Sequence, residues 1–354
     1  MKKIRFAIIG CGVIAPNHAN AVLLDDRSEL VAVCDIIIEK ASIFAERFHV
    51  NDVYVDYNEM LKREDIDAVC ICVPSGIHSE CVIACAKNNK NIMCEKPLDI
   101  HVDTMTQMIN AVKESNVTMG CIFQNRTMPG FKKAKQMLDN GELGRIVIAE
   151  CQYRGYRSPE YYASAGWRGT WEIDGGGCLM NQGIHAVDTL LWLVGDVKSI
   201  YANATTLLRD IEVEDTANAL LEFKNGAMGV IMGTTLSNVS INSPEGDYFR
   251  IECEKGSIVY DNGEMWMFTR EKDGIYDSNV GKVSLDEEKW HSSVSSASDP
   301  TQLDNAGHSI LISDFITSLI ENKQPYITGD SARKGVDIVL GIYESSRTGK
   351  KIYL

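Results

Sequence analysis

Ile4-Arg5-Phe6-Ala7-Ile8-Ile9-Gly10-Cys11-Gly12-Val13-Ile14-Ala15 is the stretch that decides how this chain folds. An apolar run of strand length enters G-x-G-x-x-A, and a helical pattern from Asn17 to Leu24 follows. The first Gly permits a tight turn. The second carries no side chain, so the backbone can approach a pyrophosphate, and the small third position lets helix and strand pack closely. The helix start then offers unpaired N–H groups and a favourable dipole to the phosphates. Pro16 falls in the first turn, where its missing N–H costs little. The next strand ends at Asp35, twenty residues after Ala15, where a carboxylate would accept from ribose hydroxyls. Ile36 follows rather than an Arg suited to a 2′-phosphate, which favours NAD over NADP. Gly10, Cys11, Gly12, Val13, Ile14 and Asp35 are therefore the candidate dinucleotide-binding residues. A plain glycine turn and an S-adenosylmethionine site remain the competing readings of the same motif.

Outward from this unit, short apolar runs alternate with helical patterns. Strands are predicted at Leu30–Cys34, Val53–Val55, Ala68–Val73, Asn91–Cys94 and Thr118–Phe123, with helices between them. That alternation indicates βαβ units and a parallel sheet covered on both faces. After Asn125 the character changes. A helix from Phe131 to Leu138 precedes runs at Ile146–Tyr153, Ser199–Leu207, Thr216–Phe223, Ala227–Thr235, Phe249–Glu254 and Ser257–Tyr260. Asn225-Gly226 between two of them is a strong hairpin signal. The expected fold class is α/β, an N-terminal Rossmann domain over 1–124 plus a C-terminal α+β domain over 125–354 with a mostly antiparallel sheet. A helix from Gly183 to Val194 interrupts the strands. The polar segment from Asp273 to Asp304 reads as a surface excursion. Two helices, His308–Glu321 and Ala332–Ser346, close the chain, Asp330 capping the second, and the C-terminal helix can pack back on the first domain.

The bulk properties exclude several classes. The chain has 354 residues, 45% hydrophobic and 24% charged, which fits an ordered globular protein and not a disordered one. Its net charge of −14 would repel a nucleic-acid backbone. The run after Lys2-Lys3 is shorter than a signal-peptide core, and no stretch approaches the length of a membrane span, so no membrane partner is expected. Eleven Cys stand in apolar runs without a C-x-x-C pair. They read as reduced core thiols, with no metal site and a cytoplasmic location.

Loops at the carboxyl ends of parallel strands line the ligand crevice, which singles out Val73-Pro74-Ser75, His78 and Glu95-Lys96-Pro97. A Lys there can donate to a substrate oxygen or exchange a proton, although by position alone a solvated surface residue is the favoured reading. The order of Gly10-Cys11-Gly12-Val13-Ile14-Ala15, Glu95-Lys96-Pro97, Trp167-Arg168-Gly169-Thr170-Trp171, Gly175-Gly176-Gly177 with His185 and Asp188, and Ile327-Thr328-Gly329-Asp330 resembles the Gfo/Idh/MocA oxidoreductases. The resemblance covers essentially the whole chain. It implies a Rossmann domain, a second domain with a large open sheet, and hydride transfer between NAD(P) and a secondary alcohol or ketone of a sugar, cyclitol or nucleotide-linked sugar. It makes Lys96 the catalytic Lys and His185 the catalytic or positioning His.

Many members carry Asp four residues before that His, where this chain has Asn181. Asn cannot take a proton, so the base falls to His185 or Lys96, while Asn181 can hydrogen-bond a hydroxyl or the nicotinamide amide. Asn181 and His185 stand one above the other if the helix starts near Asn181. Asp188 is placed to orient the imidazole or to play a structural part. Gly175-Gly176-Gly177 would let backbone approach cofactor or substrate. Arg126 and Arg168 read as anion binders or salt-bridge partners, and Trp167 and Trp171 as pocket walls or core. The candidate substrate-binding set is Arg126, Trp167, Arg168, Asn181 and His185. Rival activities on the same fold are NAD-dependent glycoside hydrolysis and a non-catalytic NAD-binding regulator. A sheet with one open face needs a partner, so a homodimer or homotetramer through it is expected.

Overall fold

The computed structural model describes residues 3–238, 246–261, 263–269, 283–284 and 306–354. The excursion predicted from Asp273 to Asp304 lies outside the described residues, apart from 283–284. The chain falls into two compact units, Met1–Gln124 with Pro300–Arg333, and Asn125–Asp299 with Lys334–Leu354.

The first unit is built on β1 (Ile4–Ile9), α1 (Ala15–Leu24), β2 (Ser28–Cys34), α2 (Ile38–Phe48), β3 (Asp52–Tyr54), α3 (Tyr57–Leu61), β4 (Ala68–Ile71), α4 (His78–Lys87), β5 (Asn91–Cys94), α5 (Val102–Glu114) and β6 (Met119–Cys121). The strands pair in parallel in the order β3-β2-β1-β4-β5-β6. The order reverses between β1 and β4, which opens a crevice at their carboxyl ends. Every residue of β4 is buried, as expected of a strand with both faces covered.

The second unit contains α6 (Pro129–Asp139), β7 (Ile146–Arg154), α7 (Pro159–Ala163), a π-helical turn Cys178–Gln182, α8 (Ile184–Val194), β8 (Val197–Thr205), β9 (Thr216–Phe223), β10 (Met228–Thr234), β11 (Gly246–Cys253), β12 (Gly256–Asp261), β13 (Glu264–Thr269) and β14 (Val283–Ser284). With β15 (Ile352–Tyr353) they form one sheet in the order β14-β13-β12-β11-β7-β10-β9-β8-β15. All its pairings are antiparallel except β7 with β10. Ala149, Cys151 and Tyr153 of β7 are buried on one face, in contact with the buried helix α8. Ile148, Glu150 and Gln152 alternate with them on the other face and are only half-buried.

Two helices precede β15, α9 (Ala306–Glu321) and α10 (Gly329–Thr348). The second unit is therefore not continuous from 125 to 354, because the segment up to Arg333 belongs to the first. Packing explains this. Phe315 of α9 lies against Phe6 of β1 with ring centroids 6.3 Å apart, and Arg27 donates to Ser313 and Thr317. The helix that returns is α9, not the terminal one. Asp330 does not cap α10. The Thr328 hydroxyl accepts the Ser331 N–H, and Asp330 pairs instead with Lys113 at 3.0 Å.

Candidate active site

At the first unit's crevice, Gly10 has a φ of +92°, and a Cβ there would lie 2.6 Å from the Cys72 carbonyl oxygen, so only glycine fits this turn. A Cβ on Gly12 would meet nothing within 4 Å, so its backbone faces open space. The start of α1 has no side-chain cap, which leaves its first N–H groups for a ligand. Asp35 is tied to the turn, accepting from the Cys11 N–H and the Ile37 N–H at 2.9 Å each. Ile36 is 86% exposed, and the residues directly after Asp35 are Ile36, Ile37 and Ile38 rather than a cation. A glycine cradle open to the outside, an uncapped helix start and a carboxylate at the end of β2 together fit a dinucleotide. The Cys11 thiol is pushed up to about 12 by burial and by Asp35, so it stays a neutral member of the turn.

Val73 and Pro74 are half-buried after β4, and Ser75 is buried. His78 is buried with Nδ1 2.8 Å from the Pro97 carbonyl and Nε2 2.9 Å from the Val73 carbonyl. It thus sits between the loop after β4 and the loop after β5, and in either neutral tautomer its single N–H faces a main-chain carbonyl. Lys96 is half-buried at the end of β5. Strand order puts β5 two positions from β1, and at about 4.8 Å per strand the Lys96 main chain is roughly 10 Å from the glycine turn along one sheet edge.

In the second unit, Gly175-Gly176-Gly177 serves the protein's own packing. A Cβ on Gly176 would lie 2.2 Å from the Tyr343 hydroxyl, and one on Gly177 would lie 1.9 Å from the Glu214 carbonyl oxygen. The Glu214 carboxylate accepts from Gly177 N–H, Leu179 N–H and the Tyr343 hydroxyl, and so anchors the π-helical turn. Burial raises its carboxyl to about 7 against those donors.

Asn181 sits in this turn, and α8 begins only at Ile184. A regular helical stack of Asn181 on His185 therefore does not form. The Asn181 amide donates to Asp174 Oδ1 at 2.6 Å, and Asp174 Oδ2 accepts the Gly169 N–H at 2.8 Å. His185 is buried in the first turn of α8.

Arg126 is not aimed at a ligand anion. Its guanidinium grips both oxygens of Asp188 at 2.7 and 2.5 Å, with both side chains buried. Asp188 is accordingly engaged by Arg126 rather than held for the imidazole. Burial raises the Asp188 carboxyl, and Arg126 opposes the rise. Arg168 lies over the rings of Tyr161 and Trp167, at 4.4 and 4.6 Å from their centroids, and donates to the Tyr161 hydroxyl. Gln182 Nε2 donates to that same hydroxyl at 3.1 Å. Trp171 is exposed, its indole N–H on the Glu212 carbonyl. Asp174, Glu214, Tyr161 and Tyr343 were missed from sequence. Asp174 alone carried a signal, standing directly before the three glycines.

Comparison with known proteins places these features. Residues 4–123 match the oxidoreductase family with an NAD-binding Rossmann fold, and residues 131–259 match the GFO/IDH/MocA C-terminal domain. Myo-inositol 2-dehydrogenase of Thermotoga maritima is 31% identical over 73% of this chain and 75% of its own. D-glucoside 3-dehydrogenase of Escherichia coli is 27% identical over 64% and 68%. The crystal structure of the WlbA dehydrogenase from Bordetella pertussis, in complex with NADH and UDP-GlcNAcA, has a TM-score of 0.84 and 30% identity, covering 100% of this chain and 99% of that one. The chain belongs to the Gfo/Idh/MocA oxidoreductase family. It is an NAD-binding dehydrogenase or reductase of CH–OH groups.

Proposed function

We propose that the chain oxidises a secondary alcohol, or reduces the matching ketone, on a nucleotide-linked sugar acid. The observation that carries the redox reading is the single sheet edge holding the glycine turn, Asp35 and Lys96 in line. NAD supplies the hydride acceptor there. Gly10, Gly12 and the start of α1 would hold its pyrophosphate and Asp35 its ribose. Val13, Ile14, Val73, Pro74 and Ser75 would shape the rest of the cleft, whereas the Glu95 side chain is buried against His18 and His308. Lys96 donates to the substrate oxygen and steadies negative charge as the hydroxyl proton leaves. His185 is the second proton-handling group, and Asn181 binds a substrate hydroxyl or amide. Arg168, stacked between Tyr161 and Trp167, offers a fixed cation and aromatic faces suited to an anionic, base-bearing substrate. Full-length likeness to the WlbA structure supports that substrate class over a free cyclitol.

Lys96→Met tests the assignment. Turnover should be lost while NAD binding, read by NADH fluorescence, stays within a few-fold of wild type. Unchanged turnover would remove Lys96 from the site. A panel of UDP-sugar acids, neutral UDP-sugars, inositol and glucosides should give the highest kcat/KM with the first. Release of an aglycone without net NADH would point to hydrolysis instead.

The second unit's sheet supports self-association. Its half-open face carries Tyr201, Leu220, Val230, Glu150, Arg250, Val259 and Trp266 in one register row. Leu220 is 60% and Met232 46% exposed on it. None of the eleven Cys is in a disulfide, which suits a reducing cytoplasm. No helix among the described residues is long and apolar enough to cross a membrane.

A further inference from the structure

Directly behind Lys96, three buried side chains from distant parts of the sequence meet. They are His18 of α1, Glu95 after β5 and His308 of α9. His18 Nε2 lies 2.8 Å from Glu95 Oε1, and His308 Nε2 lies 3.1 Å from the same oxygen. The two imidazoles meet edge to face at 5.3 Å. Glu95 Oε2 accepts the Lys96 main-chain N–H at 3.1 Å.

Two His and one carboxylate are also a metal-binding set. The tautomer decides against that reading. A metal on His18 Nε2 would move the proton to Nδ1, which is buried without a hydrogen-bond partner. Metal-bound imidazoles almost always donate that N–H, and an orphaned buried donor is expensive. With Nε2–H donating to Glu95, Nδ1 is only a bare acceptor, the smaller penalty.

We propose that His18 and His308 are positioning residues for Lys96: their N–H groups keep Glu95 ionised and fixed, and Glu95 fixes the main chain from which Lys96 works. This deepens the reading of Lys96 as the proton-handling group and rests on it. The electrostatics agree. Burial opposes the charge on Glu95, yet the bonds from His18 and His308 hold its carboxyl well below the usual range. Burial pushes the His18 imidazole down, against the pull of Glu95, so it donates as a neutral ring. The other titratable groups facing Glu95 are the thiols of Cys70 on β4, Cys72 just after it and Cys94 on β5, and Cys121 of β6, whose Sγ lies 3.8 Å from the Glu95 carbonyl. Burial raises the first three, so they stay neutral. Removing one N–H donor therefore raises the Glu95 carboxyl towards protonation and loosens its hold on the Lys96 main chain.

The test compares His18→Leu and His308→Leu with His18→Gln and His308→Gln in the full chain, the Gln amide restoring an N–H near Nε2. The Leu variants should show a new acid limb in kcat, roughly tenfold below wild type near pH 6 and recovering at alkaline pH, with the KM for NAD little changed. The Gln variants should regain the wild-type profile. Leu variants with the wild-type pH profile would overturn the proposal. So would a stoichiometric metal in wild-type protein that His308→Leu loses. If His18→Leu fails to fold, the His308 pair makes the same comparison. Lys96→Met, run alongside, separates the two readings. Retained turnover there removes the Lys96 assignment, whereas a dead Lys96→Met with unaltered His profiles removes only this inference.

Discussion

Asp174 places a carboxylate beside position 181, which carries Asn. An ionised carboxylate only accepts, so the bond from Asn181 Nδ2 to Asp174 Oδ1 fixes which way the amide points. Asp174→Ala should free that amide and lower kcat/KM for the alcohol by about tenfold, the equivalent of one lost hydrogen bond of about 1.4 kcal/mol. NAD affinity should not change, and steady-state kinetics beside NADH titration reads both. Asp247 makes a different prediction. It is buried against Asn125, and burial raises its carboxyl to about 7 from an ordinary 3.8. The unfolded chain therefore loses this proton at lower pH than the folded chain does. Stability falls as pH rises from about 4 to about 7, by about 1.4 kcal/mol for each tenfold difference in proton affinity. Glu214, raised to about 7, adds a fall of the same sign. Thermal unfolding across this window should show the decline, and Asp247→Asn should make it shallower, leaving the part due to Glu214.

Among the elements, the turn from β1 into α1 is tightly constrained. At Gly10, a positive φ and the Cys72 carbonyl 2.6 Å from a Cβ both oppose any side chain. Gly10→Ala should cost roughly 2 kcal/mol or more in chemical unfolding and abolish NADH binding. Gly12→Ala, with open space around it, should unfold like wild type and weaken only NADH binding. Much at this scale was legible. β1, β4, β5 and the Asn225-Gly226 hairpin, where Gly226 has a φ of +90°, follow from local apolar runs and turn chemistry. The strand β13 was not read, and nor were the edge strands β14 and β15, which are two residues long and take their conformation from the neighbour they pair with. The π-helical turn was also hidden, since Glu214 and Tyr343, far off in sequence, hold it.

For the whole molecule, the register row from Tyr201 to Trp266 presents apolar ends around a central Glu150–Arg250 pair. A two-fold copy of this surface can complement itself. Sedimentation should give a dimer or tetramer for wild type, and Leu220→Glu with Met232→Glu should shift it towards monomer while the fold is kept. A wild-type monomer at micromolar concentration would rule this face out as the interface.

The sequence by itself determined the two kinds of sheet and the dinucleotide turn, where strand and helix periods and glycine conformations act locally, while Lys96 and His185 became candidates through the family resemblance of motifs along the chain. Only tertiary structure decided which polar groups meet. Arg126 reaches Asp188 across 62 residues, and Glu95 joins His18 and His308 across 77 and 213. A buried charge must find a partner wherever packing brings one, and several Asp, His and Arg in this sequence were equally eligible. That is why Arg126 proved a salt-bridge partner, why Asp188 was withdrawn from the imidazole, and why the support behind Lys96 was invisible until the chain was folded.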